Sequence, residues 1–250
     1  MLQQTSVARV RGHWSSFLTR FPTPASCADA PLADVLVAWQ GLGYPRRAKA
    51  LHDTARTVCE EFGGVVPRDV ADLRRLPGVG EYTASAVASF AYGEPVAILD
   101  TNVGRVLARA LANRTLSRRE ARELADDLRP RTDVASFNQA MLDLGAQFCR
   151  ATPRCETCPM ARNCVWHRDG GPDPAPRSAG VSRAQAPYAG SDRELRGRVL
   201  RFLSDGPRSD EHIAELCRDL SDDRRRRVVS GLVNDGLVAR GVGHYALAER

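Results

Sequence analysis

Four of the seven cysteines lie within a short stretch, with the spacing Cys149-x5-Cys155-x2-Cys158-x5-Cys164. Four thiols this close, in a chain that opens without a recognisable signal peptide, favour metal binding over disulfides. Zinc ribbons usually have two Cys-x2-Cys pairs, whereas here one such pair is flanked by a single cysteine on each side. The pattern therefore favours a 4Fe–4S cluster over zinc, and four unliganded thiols are the remaining alternative.

A glycine-rich turn lies in the first half of the chain, in the segment Leu76-Pro-Gly-Val-Gly-Glu-Tyr-Thr-Ala84. Gly78 and Gly80 let the backbone turn tightly and leave N–H groups at the start of the following helix. Such groups bind a phosphate without a bulky side chain in the way. Any tight helix junction can use Gly-x-Gly, but the leading Leu-Pro and trailing Tyr-Thr-Ala favour a helix–hairpin–helix turn that grips a DNA backbone.

Asp100 ends an apolar stretch, in the segment Ile98-Leu-Asp-Thr-Asn-Val103. One interpretation is that its carboxylate caps a helix that starts near Thr101. A capping carboxylate that also faces a cleft can stabilise a positively charged sugar, as glycoside hydrolysis requires. The sequence pattern by itself leaves both interpretations open.

These motifs lie on a chain that is helical in pattern from residue 7 to about residue 147. Apolar residues recur every three or four positions, as in Val7, Val10, Trp14 and Phe17. No alternating strand pattern of useful length appears before residue 230. The sequence therefore predicts an all-α domain at residues 1–166, which includes the cysteine loop.

The last third of the chain changes character. Residues 168–180 are rich in glycine and proline with little to bury, so residues 167–190 are predicted to be a linker. Residues 191–250 contain three amphipathic stretches followed by a hairpin that turns near Gly241. Three helices followed by a hairpin predict a small winged-helix-like domain.

The composition fits a DNA-binding protein and excludes a membrane-spanning one. The net charge is +6, and Lys49 is the only lysine among the 36 basic residues. A basic chain favours a polyanionic partner, most simply nucleic acid. No apolar run approaches the roughly 18 residues that span a bilayer. We expect a cytoplasmic protein that acts as a monomer and does not associate with membranes.

The motifs occur in the order seen in the adenine DNA glycosylase (MutY) family, which this chain resembles over residues 1 to about 166. The resemblance implies a two-lobed helix–hairpin–helix glycosylase fold with DNA and the active site between the lobes, and a 4Fe–4S cluster. The matching segments are Met1-Leu-Gln-Gln-Thr5, Gly41-Leu-Gly-Tyr44, Leu76–Ala84, Asp100-Thr-Asn-Val103 and Phe137–Gly145, followed by Cys149, Cys155, Cys158 and Cys164.

The resemblance also implies roles for individual residues. Asp100 matches the catalytic aspartate, Tyr82 an active-site tyrosine, and Asp143 an acidic residue near the adenine pocket. Leu42 and Tyr44 match the wedge that enters the base stack, and Gln4 and Thr5 match residues that touch the 8-oxoguanine side. The DNA-binding residues implied are Gln3, Gln4, Thr5, Leu42, Tyr44, Gly78, Gly80 and Asn102.

The activity implied is removal of adenine opposite 8-oxoguanine or guanine. Related lyases of the endonuclease III type have a lysine at the position of Tyr82 to form a Schiff base, which tyrosine cannot do. We therefore expect a monofunctional hydrolase. A thymine–guanine mismatch glycosylase shares the hairpin, the tyrosine and the cluster, and is an alternative that the Gln3-Gln-Thr5 motif opposes.

The sequence departs from the family in three places. The family has a general-acid glutamate two residues before the methionine that is Met1 here, so we expect either a longer natural protein or a catalytically impaired lesion binder. The polypeptide that starts at Met1 is expected to excise adenine poorly. Five residues separate the first two cluster cysteines, Cys149 and Cys155, where the family commonly has six. Residues 191–250 are too short for a Nudix-like domain; Arg224–Arg227 there either contact phosphates or form a solvated helix face.

Overall fold

The computed structural model describes residues 1–3, 5–181 and 187–249; Gln4, predicted to touch the 8-oxoguanine side, lies outside them. The described residues are mostly helical, as the sequence predicts. The helices are α1 (Val7–Arg20), α2 (Pro24–Ala28), α3 (Leu32–Ala38), α4 (Arg46–Glu61), α5 (Val70–Leu73), α6 (Glu81–Tyr92), α7 (Thr101–Val106), α8 (Arg118–Leu128), α9 (Val134–Gln147), α10 (Val165–Asp169), α11 (Asp192–Leu203), α12 (Asp210–Leu216) and α13 (Asp222–Asn234). None of the helices in this part of the chain is both long and apolar enough to cross a membrane.

A small antiparallel sheet lies near the C-terminus. Its strands are β1 (Arg208–Ser209), β2 (Val238–Arg240) and β3 (His244–Leu247), in the order β1-β3-β2. Arg208 pairs with Tyr245, and Val238 with Leu247. The elements expected for residues 191–250, three helices and a hairpin, are therefore present, together with the additional short strand β1.

The chain forms two compact units, and their boundaries differ from the predicted domains. One unit comprises Met1–Pro67, Leu76–Gly78 and Ala186–Arg250, and the other Arg68–Arg75 and Val79–Gln185. In the first unit, Leu36 and Ala48 belong to the same buried cluster as Leu195 and Leu232. A single apolar core thus joins the N-terminal helices to the C-terminal elements of the described chain.

Close packing of α7 and α9 organises the second unit. A Cβ on Gly145 would lie 2.5 Å from the backbone oxygen of Asn102, so only glycine allows this approach. Buried Asn138 donates to Ser89 Oγ (2.9 Å) and to the carbonyl of Val96 (2.8 Å), while its Oδ1 accepts from Ile98 N (3.2 Å). These bonds fix the extended segment that leads into α7.

The linker predicted at residues 167–190 is wrong for the stretch from Asp173 to Gly180. Ala175 and Ser178 are buried, and Ser178 Oγ accepts from Leu116 N (3.1 Å). Thr101 Oγ1 donates to the carbonyl of Gly180 (2.8 Å). The segment lies directly against α7, since a Cβ on Gly104 of that helix would come within 2.8 Å of the carbonyl oxygen of Ala179.

Candidate functional site

Asp100 is the N-cap of α7. Its Oδ1 accepts a hydrogen bond from Val103 N (2.8 Å), and its Oδ2 accepts from Asn102 Nδ2 (2.9 Å). Burial raises the pKa of this carboxyl above its ordinary value, while the hydrogen bonds from Val103 and Asn102 oppose that shift. The capping interpretation is confirmed, and the catalytic role of Asp100 stays a prediction that this partly buried, oriented carboxylate supports.

A chain of hydrogen bonds leads from Asp100 to the start of the cysteine loop. Arg105 Nη2 donates to Asn102 Oδ1 (2.7 Å) and to the carbonyl of Gly145 (2.9 Å), and its Nε donates to the carbonyl of Cys149 (2.6 Å). The sequence predicts that Asn102 binds DNA. In the structure both its amide nitrogen and its amide oxygen form hydrogen bonds within the protein. Sequence reasoning missed Arg105, although its position three residues after Asn102 on a helix was a usable signal.

Tyr82 lies in the first turn of α6 and is 39% exposed. The pKa of its hydroxyl is raised by burial and, secondly, by the negative charge of Asp100. The two predicted catalytic side chains are therefore close enough to interact electrostatically. An exposed phenol beside a carboxylate can contact a ligand that the carboxylate also faces.

The glycine turn has the conformation that a tight hairpin needs. Gly78 has φ +72°, and a Cβ there would lie 2.6 Å from Ala50 Cβ. Thr54 Oγ1 donates to the carbonyl of Pro77 (2.8 Å). Gly80 is the N-cap of α6 and brings no capping side chain. The start of α6 therefore presents backbone without an obstructing side chain, as phosphate binding requires.

The four clustered cysteines line one cavity. Its remaining walls are mainly apolar and include Leu144, Phe148, Met160 and Trp166. Among the described residues, no group of three or more His, Cys, Asp or Glu side chains is arranged to hold a single metal ion. The cavity nevertheless brings together all four thiols that the sequence pattern singles out.

Arg109 forms part of this cavity wall and is only 1% exposed. Its Nε and Nη2 donate to the two carboxylate oxygens of Asp173 (2.8 and 2.6 Å). Nη1 donates to the carbonyl of Arg150 (2.6 Å) and lies 3.5 Å from Cys149 Sγ, and Nη2 also reaches the carbonyl of Ala151 (3.2 Å). A π-helical turn at Leu107–Ala112, which continues α7, carries this residue. Sequence reasoning missed Arg109 because nothing local distinguishes it from the other arginines.

Arg47 on α4 ties the N-terminal segment to the loop that carries Leu42 and Tyr44. Its guanidinium lies 5.2 Å from the Trp39 ring centroid, and burial lowers its pKa. Sequence reasoning missed this residue too. The acceptors of its two Nη groups are the carbonyls of Met1 (3.0 Å), Gln3 (2.6 Å), Leu42 (3.0 Å) and Gly43 (3.2 Å), and Thr5 Oγ1 (3.0 Å).

The residues predicted to meet DNA in this region have different environments. Leu42 is 2% exposed, so its predicted role as a wedge is wrong for the side chain in this conformation: it packs in the core. Its carbonyl accepts from Thr5 Oγ1 (3.1 Å), which joins the Gln3–Thr5 segment to the loop. Tyr44 is only partly buried, and its predicted contact with the base stack stays a prediction.

Two other predicted sites lie on α9 and α13. Asp143 is exposed on α9, where Gln139 Nε2 donates to it (3.0 Å). In the segment Arg224–Arg227, Arg224 pairs with Asp192 (2.8 Å) and Arg225 with Asp222 (2.7 Å). Pairing with aspartates weakens a phosphate-binding role for this segment and favours the solvated helix face.

Replacing Arg47 by methionine is expected to lower the free energy of unfolding by about 1–3 kcal/mol, because partly buried acceptors lose a charged donor. Urea unfolding measures this, and hydrogen exchange should show faster exchange in residues 1–5. Exposed Arg56 lies on the same helix, and R56M should stay within about 0.5 kcal/mol of the parent. Equal effects of R47M and R56M would contradict the role given to Arg47.

The pattern of the HhH-GPD superfamily base excision DNA repair proteins matches residues 1–131. The chain is 44% identical over 257 residues to an adenine DNA glycosylase of Mycolicibacterium smegmatis, covering 99% of this chain and 85% of that one. It is 41% identical over 175 residues to the human adenine DNA glycosylase, covering 66% and 31%.

Solved structures give a similar result for the fold. A thermostable thymine-DNA glycosylase superposes with a TM-score of 0.62 at 29% identity, covering 67% of this chain and 80% of that chain. An endonuclease III trapped in a covalent intermediate with DNA superposes with a TM-score of 0.60 at 27% identity, covering 66% and 79%. The predicted helix–hairpin–helix glycosylase fold is thus confirmed.

Proposed function

The chain belongs to the adenine DNA glycosylase family within the HhH-GPD superfamily, and from that premise we propose that it removes adenine mispaired with 8-oxoguanine or guanine. As a DNA glycosylase it hydrolyses an N-glycosidic bond. The observation that carries the proposal is the partly buried carboxylate of Asp100, which Val103 N and Asn102 Nδ2 hold in place. The substrate is double-stranded DNA that contains the mispair, and we further propose a cytoplasmic monomer.

The chemistry follows from the position of Asp100. The target adenine leaves the base stack so that its sugar can reach the carboxylate. As the bond from the sugar C1′ to the base breaks, its electron pair leaves with adenine and positive charge develops on the sugar ring. Ionised Asp100, held by Val103 N and Asn102 Nδ2, stabilises that charge until water adds to C1′ and loses a proton to solvent. The departing adenine takes up one proton from solvent, so the products are neutral adenine and an abasic site.

A lyase step that uses a lysine Schiff base is not supported. Tyr82 supplies no amine, and Lys49 is the only lysine of the sequence. Its Nζ donates to Asp53 (2.7 Å) on the same helix. The proposed enzyme is therefore monofunctional and leaves an abasic site.

We also propose that Cys149, Cys155, Cys158 and Cys164 hold a 4Fe–4S cluster. The fit rests on the cavity that all four cysteines line and on the Arg109 guanidinium, which lies 3.5 Å from Cys149 Sγ. A cationic hydrogen-bond donor stabilises thiolate sulfur, which is the ligand form. When bound, the cluster supplies cross-links through iron that tie the loop together and a centre capable of electron transfer.

The protein purified without oxygen should be brown and contain about four iron and four sulfide ions per chain. C158S should lose most of the iron because a ligand is missing. C59S changes a cysteine on α4 outside the loop and should retain the iron. Elemental analysis and the visible spectrum measure both. One zinc per chain with no iron would overturn the cluster assignment.

A thymine–guanine mismatch glycosylase is a second candidate, because a thymine-DNA glycosylase is among the structural neighbours. The 44% identity to adenine DNA glycosylases over nearly the whole chain favours adenine. Single-turnover assays on adenine:8-oxoguanine, adenine:guanine and thymine:guanine duplexes distinguish the two. We expect adenine release to be fastest opposite 8-oxoguanine. Faster thymine release would overturn the proposal, and tight binding without release of any base would favour a non-catalytic lesion binder.

A further inference from the structure

The backbone of Tyr44 is in a conformation that a tyrosine rarely adopts. Its φ is +49°, in the left-handed region, and Gly43 before it has φ +72°. Pro45 follows, and a residue that precedes proline is ordinarily extended. A non-glycine residue stays in such a conformation only where the surrounding structure holds it there. The contacts of Tyr44 therefore show what fixes this aromatic ring.

Part of the support comes from α3 and α4. Trp39 Nε1 donates to the carbonyl of Gly43 (3.1 Å), and the Arg47 guanidinium lies 5.7 Å from the Tyr44 ring centroid. These contacts hold the loop backbone and one side of the ring. They leave the hydroxyl end of Tyr44 to be held from another part of the chain.

That hydroxyl is held by the C-terminal elements. Arg193, in the first turn of α11, donates from Nη1 to Tyr44 Oη (2.8 Å), and its guanidinium lies 5.8 Å from the Tyr44 ring centroid. Arg193 is itself oriented by the carbonyl of Pro187 (3.3 Å from Nη2) and by the ring of Tyr188, whose centroid lies 6.0 Å away. Arg193 thus reaches Tyr44 from a position already fixed in its own segment.

The elements that carry Arg193 are firmly attached to the same unit. The carboxylate of Asp235, which follows α13, accepts hydrogen bonds from Arg46 on α4 and from Arg196 on α11. The carbonyl of Glu249 accepts from Leu32 N on α3 (3.1 Å). With the shared apolar core, these contacts make the position of Arg193 relative to Tyr44 a fixed feature of the unit.

We propose that Arg193 is a positioning residue for mispair recognition. It holds the Tyr44 ring in the orientation in which the ring stacks within DNA at the lesion, so the C-terminal elements take part in substrate discrimination. The inference rests on the proposed function, because it takes the substrate to be an adenine:8-oxoguanine duplex. Stacking on a ring that is already oriented avoids the entropy loss of ordering it on binding.

The test compares R193M, R193K, Y44F and the double variant R193M/Y44F with the parent protein. Fluorescence anisotropy gives the ratio of Kd values for a matched duplex and an adenine:8-oxoguanine duplex. A 2-aminopurine beside the lesion reports local unstacking. R201M is the matched control, since Arg201 is an exposed arginine on the same helix. Thermal melting checks that each variant is folded.

R193M should lower the discrimination ratio about 3- to 10-fold, the effect of losing one hydrogen bond, and should reduce the 2-aminopurine signal. Y44F should do the same, and the double variant should lose no more than either single variant, because both remove one interaction. R193K should recover part of the ratio, and R201M should match the parent. If R193M does not fold, R193K and Y44F carry the test.

Additive losses in the double variant would overturn the inference, as would an unchanged ratio in R193M. Equal weakening of matched and mismatched binding would also overturn it, because it would mean that Arg193 acts on phosphates and not through Tyr44. Failure of the proposed function gives a different result: the parent protein itself would show no preference for the adenine:8-oxoguanine duplex.

Discussion

Replacing Asp100 by asparagine is expected to slow adenine release on the order of 10²–10³-fold while leaving affinity for DNA nearly unchanged. The amide has almost the same shape, but it has no charge to stabilise the positive sugar. Its Oδ1 can still accept from Val103 N, so the cap of α7 is retained. Single-turnover excision on an adenine:8-oxoguanine duplex gives the rate, and anisotropy gives the affinity.

Asp126 provides the matched control, because it is an exposed aspartate on α8. D126N should release adenine at the parent rate. If D100N and the parent release adenine equally fast, Asp100 is a helix cap only, and the assignment of the reaction to this carboxylate is wrong.

The pH dependence of the reaction has a definite sign. Burial raises the pKa of Asp100, so its carboxylate becomes neutral at a higher pH than an ordinary aspartate does. Excision needs the ionised form of Asp100. As the pH is lowered, the excision rate should therefore begin to fall at a pH above the ordinary pKa of aspartate, about 3.9. The raised pKa of Asp100 also makes the stability of the protein depend on pH. The neutral carboxyl stabilises the folded state at a pH below the pKa that Asp100 has in the unfolded chain. This contribution is lost as the pH rises through the higher pKa of the folded state. The D100N variant should lack this loss.

The second large effect is expected at Arg109, where methionine should lower the free energy of unfolding by about 3–5 kcal/mol and reduce the iron content. Arg109 is 1% exposed and its partner Asp173 has a 28% exposed side chain, so removing the arginine leaves a largely buried carboxylate without its cation. The carbonyls of Arg150 and Ala151 also lose their donor. Because water reaches part of Asp173, the lower end of the range is expected. Urea unfolding and iron analysis measure the two effects.

An exposed ion pair serves as the comparison for Arg109. Arg114 pairs with Glu120 (2.6 Å), but its side chain is 57% exposed. R114M should change stability by less than about 1 kcal/mol and retain the iron. R109K should recover only part of the loss, since lysine cannot form the two parallel bonds to Asp173. Unfolding of R109M at the same urea concentration as the parent would contradict the role given to this pair.

Patterns that depend on neighbouring residues were readable from the amino-acid sequence. Asp100 caps α7 because a short acceptor directly before a helix meets its free N–H groups, and this is a local rule. Gly78 indicates a tight turn, because its left-handed backbone conformation is one that few other residues adopt. The four cysteines lie close enough in sequence that one cavity receives them all. The helical class followed from such local signals, and the glycosylase fold followed from the resemblance of the ordered motifs to a known family.

Tertiary structure alone decided which of the many arginines became structural, and where the last third of the chain packs. Arg47 and Arg109 each have acceptors far away in sequence, among them Gln3 at 44 residues from Arg47 and Asp173 at 64 residues from Arg109. Nothing near either residue reveals those acceptors, because burial of a charge depends on what the fold brings to it. For the same reason, Leu42 lies in the core rather than at a DNA surface. The stretch 173–180 packs against α7 rather than linking domains. Small residues suit both a flexible segment and a close approach to a helix, so the sequence by itself leaves both possible. The surface of α7 that lies opposite them selects close packing.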